Sequence, residues 1–339
     1  MIQAGIVGAT GFTGMVLTEL LWAHPEVRLG PLTSSSYVDQ QVSDVFPHVR
    51  VPGTYVEYSP EAVADCEFVF VCYPHAASHP VVGELIDRGH RVIDLSADFR
   101  LADEDAYQHW YGFQHGRADL VPKAVYGLPE LHRERIAAAD LVANPGCYPT
   151  ATILAALPLV RDLGIATVIV DAKSGVSGAG RAPSATTHFS RVHDDFRAYG
   201  EVGHRHTSEM LQELGRVAGT PVGVSFTPHL LPLDRGILAT VYCLPAVGAE
   251  LLSQDALMHL YEGAYVDEPF VEVVAAAPAL SEVQCTNYCR ISPRVDEAAG
   301  LYKVVSVIDN LLKGASGQAV QNLNIMAGFP ETLGLGAQG

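Results

Sequence analysis

The chain has 339 residues, a formal net charge of −17, 48% hydrophobic and only 17% charged residues. That length exceeds what one core usually serves, so two domains are expected. The acidic balance excludes a nucleic-acid or anionic-membrane partner, since both demand a basic face, and prolines, glycines and charges interrupt every apolar run before it could cross a bilayer. With no basic, apolar leader ahead of the first strand-like residues, a cytoplasmic location is expected.

In chain order, AGIVG reads as a strand running into Gly8-Ala9-Thr10-Gly11-Phe12-Thr13-Gly14, and MVLTELLWAHP follows with apolar residues at helical spacing. Glycines between a strand and a helix let backbone N–H groups approach a pyrophosphate, and the helix N-terminus favours its charge. The spacing is GxxGxxG, so position in a βαβ pattern carries the reading more than the motif does. VRLGPLTS is the second strand-like run. An NAD site places an acid near its end, whereas here stand Thr33, Ser34, Ser35 and Ser36, with no carboxylate before Asp39. Hydroxyls without an acid suit a 2′-phosphate, so NADP(H) is expected, with Ser34 and Ser36 facing it.

EFVFVCYP, RVIDLSA and DLVANPG are further short β-rich runs closed by turn signals, as parallel βαβ units require. DLSADFR puts Arg100 in a loop, where a guanidinium suits phosphate. NPGCYPT then sets Cys147 just before the helical PTATILAALPLVRDLG. A thiolate is favoured at a helix N-terminus, and it attacks acyl carbons. From about residue 165 the runs lengthen (ATVIVDAKSGVSG, VGVSFTPHLL, GILATVYCLP, LYKVVSVID), which implies a mostly antiparallel sheet with helices on one face. KSGVSGAGR is a Gly/Ser loop ending in Arg181. GHRHTSE offers His204 and His206 as acid/base partners for the thiol. As HxH they also have metal-ligand spacing, but no third ligand is suitably placed, nor does CTNYC have a second cysteine pair, so no metal is expected. The other cysteines, 66, 72 and 243, lie in or beside apolar β runs where core packing is the default.

GATGFTG, DLSADFR, NPGCYPTAT, KSGVSGAGR, GHRHTSE and DNLLKGASGQAVQNLN, in this order and spanning residues 2 to about 335, resemble the N-acetyl-γ-glutamyl-phosphate reductase family of arginine biosynthesis. The resemblance implies the aspartate-semialdehyde dehydrogenase superfamily fold: a Rossmann-like NADP-binding domain (1–147 with about 310–339) completed by the C-terminal helix, and a mostly antiparallel α+β catalytic and oligomerisation domain (148–309). Residue by residue, it implies Cys147 as nucleophile and His204 as acid/base, the choice against His206 remaining open. It gives Ser174, Gly175, Gly178 and Asn310–Lys313 to the cofactor pocket with Gly8, Thr10, Gly11, Phe12, Thr13 and Gly14. Arg100, Arg181, His206 and Glu209 are assigned to substrate or phosphate. The substrate would be a small acyl phosphate, and the assembly a homodimer or homotetramer. Two positions depart from the family pattern, Ser208 where proline is expected and Cys285 where glycine is. Rival readings are a reductase of carrier-protein-linked glutamyl or aminoadipyl phosphate, aspartate-semialdehyde dehydrogenase, a cysteine hydrolase, and an NADP-binding redox sensor.

Overall fold

The computed structural model describes residues 1–336. Two compact units divide between Pro145 and Gly146 and between Gly314 and Ala315: Met1–Pro145 with the chain from Ala315 onward, and Gly146–Gly314. Cys147 and the Asn310–Lys313 segment therefore lie in the second unit, whereas the sequence-based limits put them in the first. The reason is local, because Cys147 opens an unbroken helix to Leu163. The last three residues of the expected first domain, 337–339, lie outside the described residues.

The first unit holds β1 (Ile2–Val7), β2 (Val27–Leu32), β3 (Phe68–Val71), β4 (Arg91–Asp94), β5 (Val125–Tyr126) and β6 (Leu141–Ala143). They pair all parallel in the order β2-β1-β3-β4-β6-β5. Parallel sheets carry helices on both faces, so their strands read as unbroken apolar runs; Phe68, Val69, Phe70 and Val71 are all fully buried. Burying each such side chain contributes about 1.5–3 kcal/mol. The connection reverses direction between β1 and β3, and ligands of open parallel sheets bind at the carboxyl ends of strands at such a switch point. The helix Gly317–Ala327 belongs to this unit. It is tied in by His24 Nε2 with Asn324 Oδ1 (2.9 Å), by Arg91 Nη1 donating to the Met326 carbonyl (2.7 Å) and by Asn322 Nδ2 donating to the Gly127 carbonyl (2.9 Å).

The second unit is built on β7 (Ile165–Ser174), β8 (Arg197–Ala198), β9 (Gly223–Leu230), β10 (Ile237–Pro245), β11 (Val271–Val273), β12 (Cys289–Asp296) and β13 (Leu301–Ile308). Their order is β11-β12-β13-β10-β7-β9-β8, antiparallel except for β11–β12 and β7–β9. Alternation along β10 buries Ile237, Ala239, Val241 and Cys243 on one face, which the helix Cys147–Leu163 covers. Tyr261 and Tyr265, on the helix Gln254–Tyr265, donate their hydroxyls to the Ala155 and Leu154 carbonyls. The Leu154 carbonyl lies four residues ahead of Pro158, which has no N–H to offer it, so Tyr265 supplies the missing donor. Cys66, Cys243 and Cys289 are buried. The short strands β5, β8 and β11 carry no pattern long enough to be read from sequence.

Candidate active site

The NPGCYPT turn is held from both sides. Gly146 is the extended N-cap residue and Cys147 the first residue of a 17-residue helix. Pro149 sits in the first turn, where no N–H is needed. The Gly146 amide donates to Glu209 Oε2 at 2.9 Å. A side chain on Gly146 would stand 2.7 Å from His206 Nε2 and 2.9 Å from Glu209 Oε1, and one on Gly314 would stand 2.8 Å from Cys147 Cβ. Both glycines are thus demanded by close approach. Glu209 is fully buried and anchors the cysteine turn through that amide.

Cys147 opens onto a cavity of about 450 Å³, shared with Tyr148, Ser174, Gly175, Gly178, His204 and His206. Thr186, Thr187, Arg197 and Tyr199, outside the quoted motifs, and Arg205, inside GHRHTSE, bring two cations and three hydroxyls to its wall. His204 is boxed by aromatic rings, with centroids of Tyr148, Tyr199 and Phe226 at 6.0, 5.7 and 5.1 Å. Burial, helped by the Arg205 charge, pushes its pKa down to about 4, so the ring is neutral at pH 7. Its Nδ1 accepts the His206 amide at 3.2 Å, which leaves the ring proton on Nε2. The Tyr148 and Tyr199 hydroxyls meet at 3.1 Å. Burial raises both phenols, Tyr199 to about 12, so both remain protonated donors. Arg181 follows the short helical turn Val176–Ala179 and is not among the lining residues.

The Gly/Ser loop is clasped by the protein itself. Gly175 approaches the Asp234 carbonyl so closely that a Cβ would lie 2.3 Å away. Asn310 Oδ1 accepts the Gly236 amide (2.7 Å), its Nδ2 donates to Ser177 Oγ (3.0 Å), and Ser177 Oγ donates to the Asp234 carbonyl (2.6 Å). Asn310, given to the cofactor pocket by the resemblance, thus positions this loop through both ends of its amide. Lys313, given to the cofactor pocket by the resemblance, is fully buried with its ammonium 5.7 Å from the Phe270 ring centroid. Ser174 donates its own hydroxyl to the Gly175 carbonyl.

In the first unit, the residues after β1 fit a dinucleotide. Gly8 has φ +82°, a Cβ on Gly14 would strike Ala9 at 2.7 Å, and Gly11 has no protein atom within 4 Å of where its Cβ would be. Two glycines are therefore needed by the turn and helix, and the third leaves room for a ligand. Phe12 and Thr13 open the helix Phe12–Ala23. Thr33 Oγ1 accepts the Gly8 amide, and Thr10 and Ser34 hydroxyls meet at 3.2 Å. Ser34 is buried and its Oγ accepts the Ser36 and Tyr37 amides. It shapes the turn from within, while Ser36 is exposed. Gln318, in the first turn of the C-terminal helix, is fully buried with neither Oε1 nor Nε2 hydrogen-bonded. Such a pair costs about 1–3 kcal/mol for each group left unmade. A ligand amide such as the nicotinamide carboxamide would satisfy both. Sequence motifs gave no hint of it.

Arg100 is 8% exposed, its Nε donating to the Asn144 carbonyl (2.7 Å) and Nη2 to the Leu95 carbonyl (3.0 Å). Asn144 Nδ2 in turn donates to the Ala315 carbonyl. Among the described residues no three His, Cys, Asp or Glu are grouped to hold a metal, and no helix is long and apolar enough to cross a membrane.

Comparison with known proteins agrees across the chain. Residues 3–139 match the semialdehyde dehydrogenase NAD binding domain, and residues 147–310 the semialdehyde dehydrogenase dimerisation domain. The chain is 47% identical over 345 residues to the N-acetyl-gamma-glutamyl-phosphate reductase of Desulforudis audaxviator, covering 99% of this chain and 98% of that one. Identity to the Symbiobacterium thermophilum protein of the same name is 49% over 341 residues, covering 98% and 97%. Among solved structures, aspartate semialdehyde dehydrogenase II of Vibrio cholerae, complexed with ASA, superposes with a TM-score of 0.73 at 18% identity, covering 96% and 98%. The Candida albicans aspartate semialdehyde dehydrogenase with NADP gives 0.73 at 14%, covering 96% and 99%. At those identities the structures speak for the fold. The sequence relatives speak for more, and the chain belongs to the N-acetyl-gamma-glutamyl-phosphate reductase family.

Proposed function

We infer that the protein is an NADPH-dependent reductase that converts N-acetyl-L-glutamyl 5-phosphate into N-acetyl-L-glutamate 5-semialdehyde and phosphate, a step of arginine biosynthesis. The observation that carries the reading is Cys147 at the first position of a long helix, facing a cavity it shares with His204, His206 and two arginines.

Cys147 sulfur attacks the acyl carbon, the bond from that carbon to the phosphate oxygen breaks, and phosphate leaves with the electron pair. A thioester remains on Cys147. The helix N-terminus favours both the attacking thiolate and the oxyanion formed at the acyl oxygen. NADPH, when bound, supplies the hydride. His204, neutral and carrying its proton on Nε2, is assigned to donate it to the carbonyl oxygen; as the hemithioacetal collapses, the hydroxyl proton returns to His204, the C–S bond breaks, and thiolate and aldehyde are released. Arg197 and Arg205 suit the carboxylate of such a substrate, and Arg100 is assigned to phosphate. Gly8–Gly14, Ser36 and Gln318 are assigned to NADPH.

The reading includes a homo-oligomer working in the cytoplasm. It is supported by the match of residues 147–310 to a dimerisation domain, by the six free thiols, and by the outward face of the second sheet. There Ile169 and Tyr242 are paired across β7 and β10, with Ile169 39% exposed.

The test runs the reaction backwards, with N-acetylglutamate 5-semialdehyde, phosphate and NADP, following cofactor reduction in wild type and Cys147→Ser. Phosphate-dependent reduction that disappears in the variant is expected. Reduction indifferent to phosphate, or surviving the substitution, overturns the reading.

A further inference from the structure

The DLSADFR segment contributes more than Arg100. Its two acids, Asp94 and Asp98, are both fully buried. Among the described residues the Asp98 carboxylate bonds only to residues 76–79 after β3, and Asp94 holds Ser78 of that stretch together with the Ser96 amide and hydroxyl. Asp98 Oδ1 accepts the Ala76 amide at 2.7 Å, and Oδ2 accepts the amides of Ser78 (3.1 Å) and His79 (2.9 Å). His79 Nδ1 adds a fourth bond to the same carboxylate at 3.1 Å. Asp94 Oδ1 accepts the Ser78 hydroxyl at 2.7 Å, while Ser96 bridges the acids: its Oγ donates to Asp94 Oδ2 and accepts the Asp98 amide.

Three consecutive-turn amides on one buried carboxylate leave the loop little freedom. One of them belongs to Ala76, whose φ of +67° is a left-handed conformation that alanine adopts at a cost. Pro74–Ala77 face solvent, with the Ala77 amide donating to the Pro74 carbonyl (3.3 Å). Asp98 holds their backbone from below through the Ala76, Ser78 and His79 amides.

That loop is one wall of the switch-point crevice. Its first residues stand directly against the nucleotide turn, a Cβ on Gly8 lying 2.9 Å from Tyr73 Cδ1 and 3.1 Å from the Cys72 carbonyl oxygen. The opposite wall is Gly8–Gly11 itself. We propose that Asp98, backed by Asp94, is a positioning residue for the nucleotide: its carboxylate holds the Cys72–Ser78 loop in the shape that faces the Gly8–Gly11 turn.

The inference rests on the nucleotide reading of the first unit, and direct binding separates the two. NADPH fluorescence titration of the full-length protein comes first, with wild type, Asp98→Asn and Ser78→Ala. If wild type binds no NADPH, the nucleotide reading fails. If it binds, Asp98→Asn is expected to weaken NADPH at least tenfold, and Ser78→Ala, which removes one tether, about threefold. Steady-state assays should show KM for NADPH rising by the same factors while kcat at saturating NADPH stays within about threefold. A merely structural role would lower kcat and melting temperature without moving the dissociation constant of the folded fraction. Unchanged NADPH affinity in Asp98→Asn overturns the proposal, and should that variant not fold, unchanged affinity in Ser78→Ala overturns it.

Discussion

The Gly146 amide donates to the buried Glu209 carboxylate at 2.9 Å, so the helix His206–Ala218 fixes the turn from which the helix of Cys147 starts. Glutamine at 209 retains an acceptor, whereas alanine leaves a buried amide bare. Glu209→Ala should lose about 1–3 kcal/mol in urea unfolding and more than tenfold in kcat. Glu209→Gln should lose less of both.

Gly146→Ala tests the same contact from the other side. The new methyl would press on His206 Nε2 and Glu209 Oε1. Overpacking of this kind costs about 1–3 kcal/mol, and the variant should show reduced kcat with NADPH affinity intact by fluorescence titration.

His204 carries a pH signature. Its neutral form is favoured in the folded protein, with a pKa near 4 against an ordinary 6.5. The unfolded chain therefore binds the extra proton first as pH falls. The contribution of His204 to stability is full above pH 6.5 and lost as pH drops through 4. The acid limb of kcat/KM should likewise lie well below 6.5. A limb at or above 6.5 would point to another group, and His206 is the first to examine. His204→Asn should lower kcat by about 10²–10⁴, and a larger loss in His206→Asn would transfer the assignment.

Gln318→Leu should act in opposite directions on stability and binding. Removing two unmade buried hydrogen-bonding groups should raise the urea midpoint of the free protein, by about 2–6 kcal/mol in stability. NADPH binding should weaken, while binding of adenosine 2′,5′-bisphosphate, which has no nicotinamide, should not. Equal effects on both ligands would refute the carboxamide role.

Cys285 has φ +60° and gives its amide to Asp309 Oδ2 at 2.8 Å. Glycine, the residue the family pattern leads one to expect there, takes that conformation freely, so Cys285→Gly should stabilise by about 1 kcal/mol. Ser208, the other departure, is in the first turn of its helix, where both its Oγ and its amide donate to the Arg205 carbonyl, bonds that proline would give up.

What could be read from the chain alone follows the range of the forces involved. β1, β3, β4 and β6 were legible because parallel strands buried on both faces are short unbroken apolar runs, and the Gly8 and Cys147 turns because glycine and proline punctuate them. Contacts between distant residues were not. Nothing near Gly146 announces Glu209, 63 residues away, and nothing in DNLLKGASGQ distinguishes Asn310, which holds a loop, from Gln318, whose amide is left bare. Arg197 and Tyr199 belong to a two-residue strand and its exit, too short for any periodicity. The return of the C-terminal helix was likewise available only through resemblance.

That return has a consequence for synthesis. The bond between His24 and Asn324 spans 300 positions, and Arg91 and Gly127 also wait for Met326 and Asn322. A ribosome releases the first 145 residues long before the helix that closes their unit exists. The second unit, continuous from 146 to 314, can finish first although it is made later. The nascent six-stranded sheet meanwhile exposes apolar surface at the place of the missing helix, which makes the interval a natural moment for chaperone binding and makes the last turns of the protein a checkpoint on the whole chain.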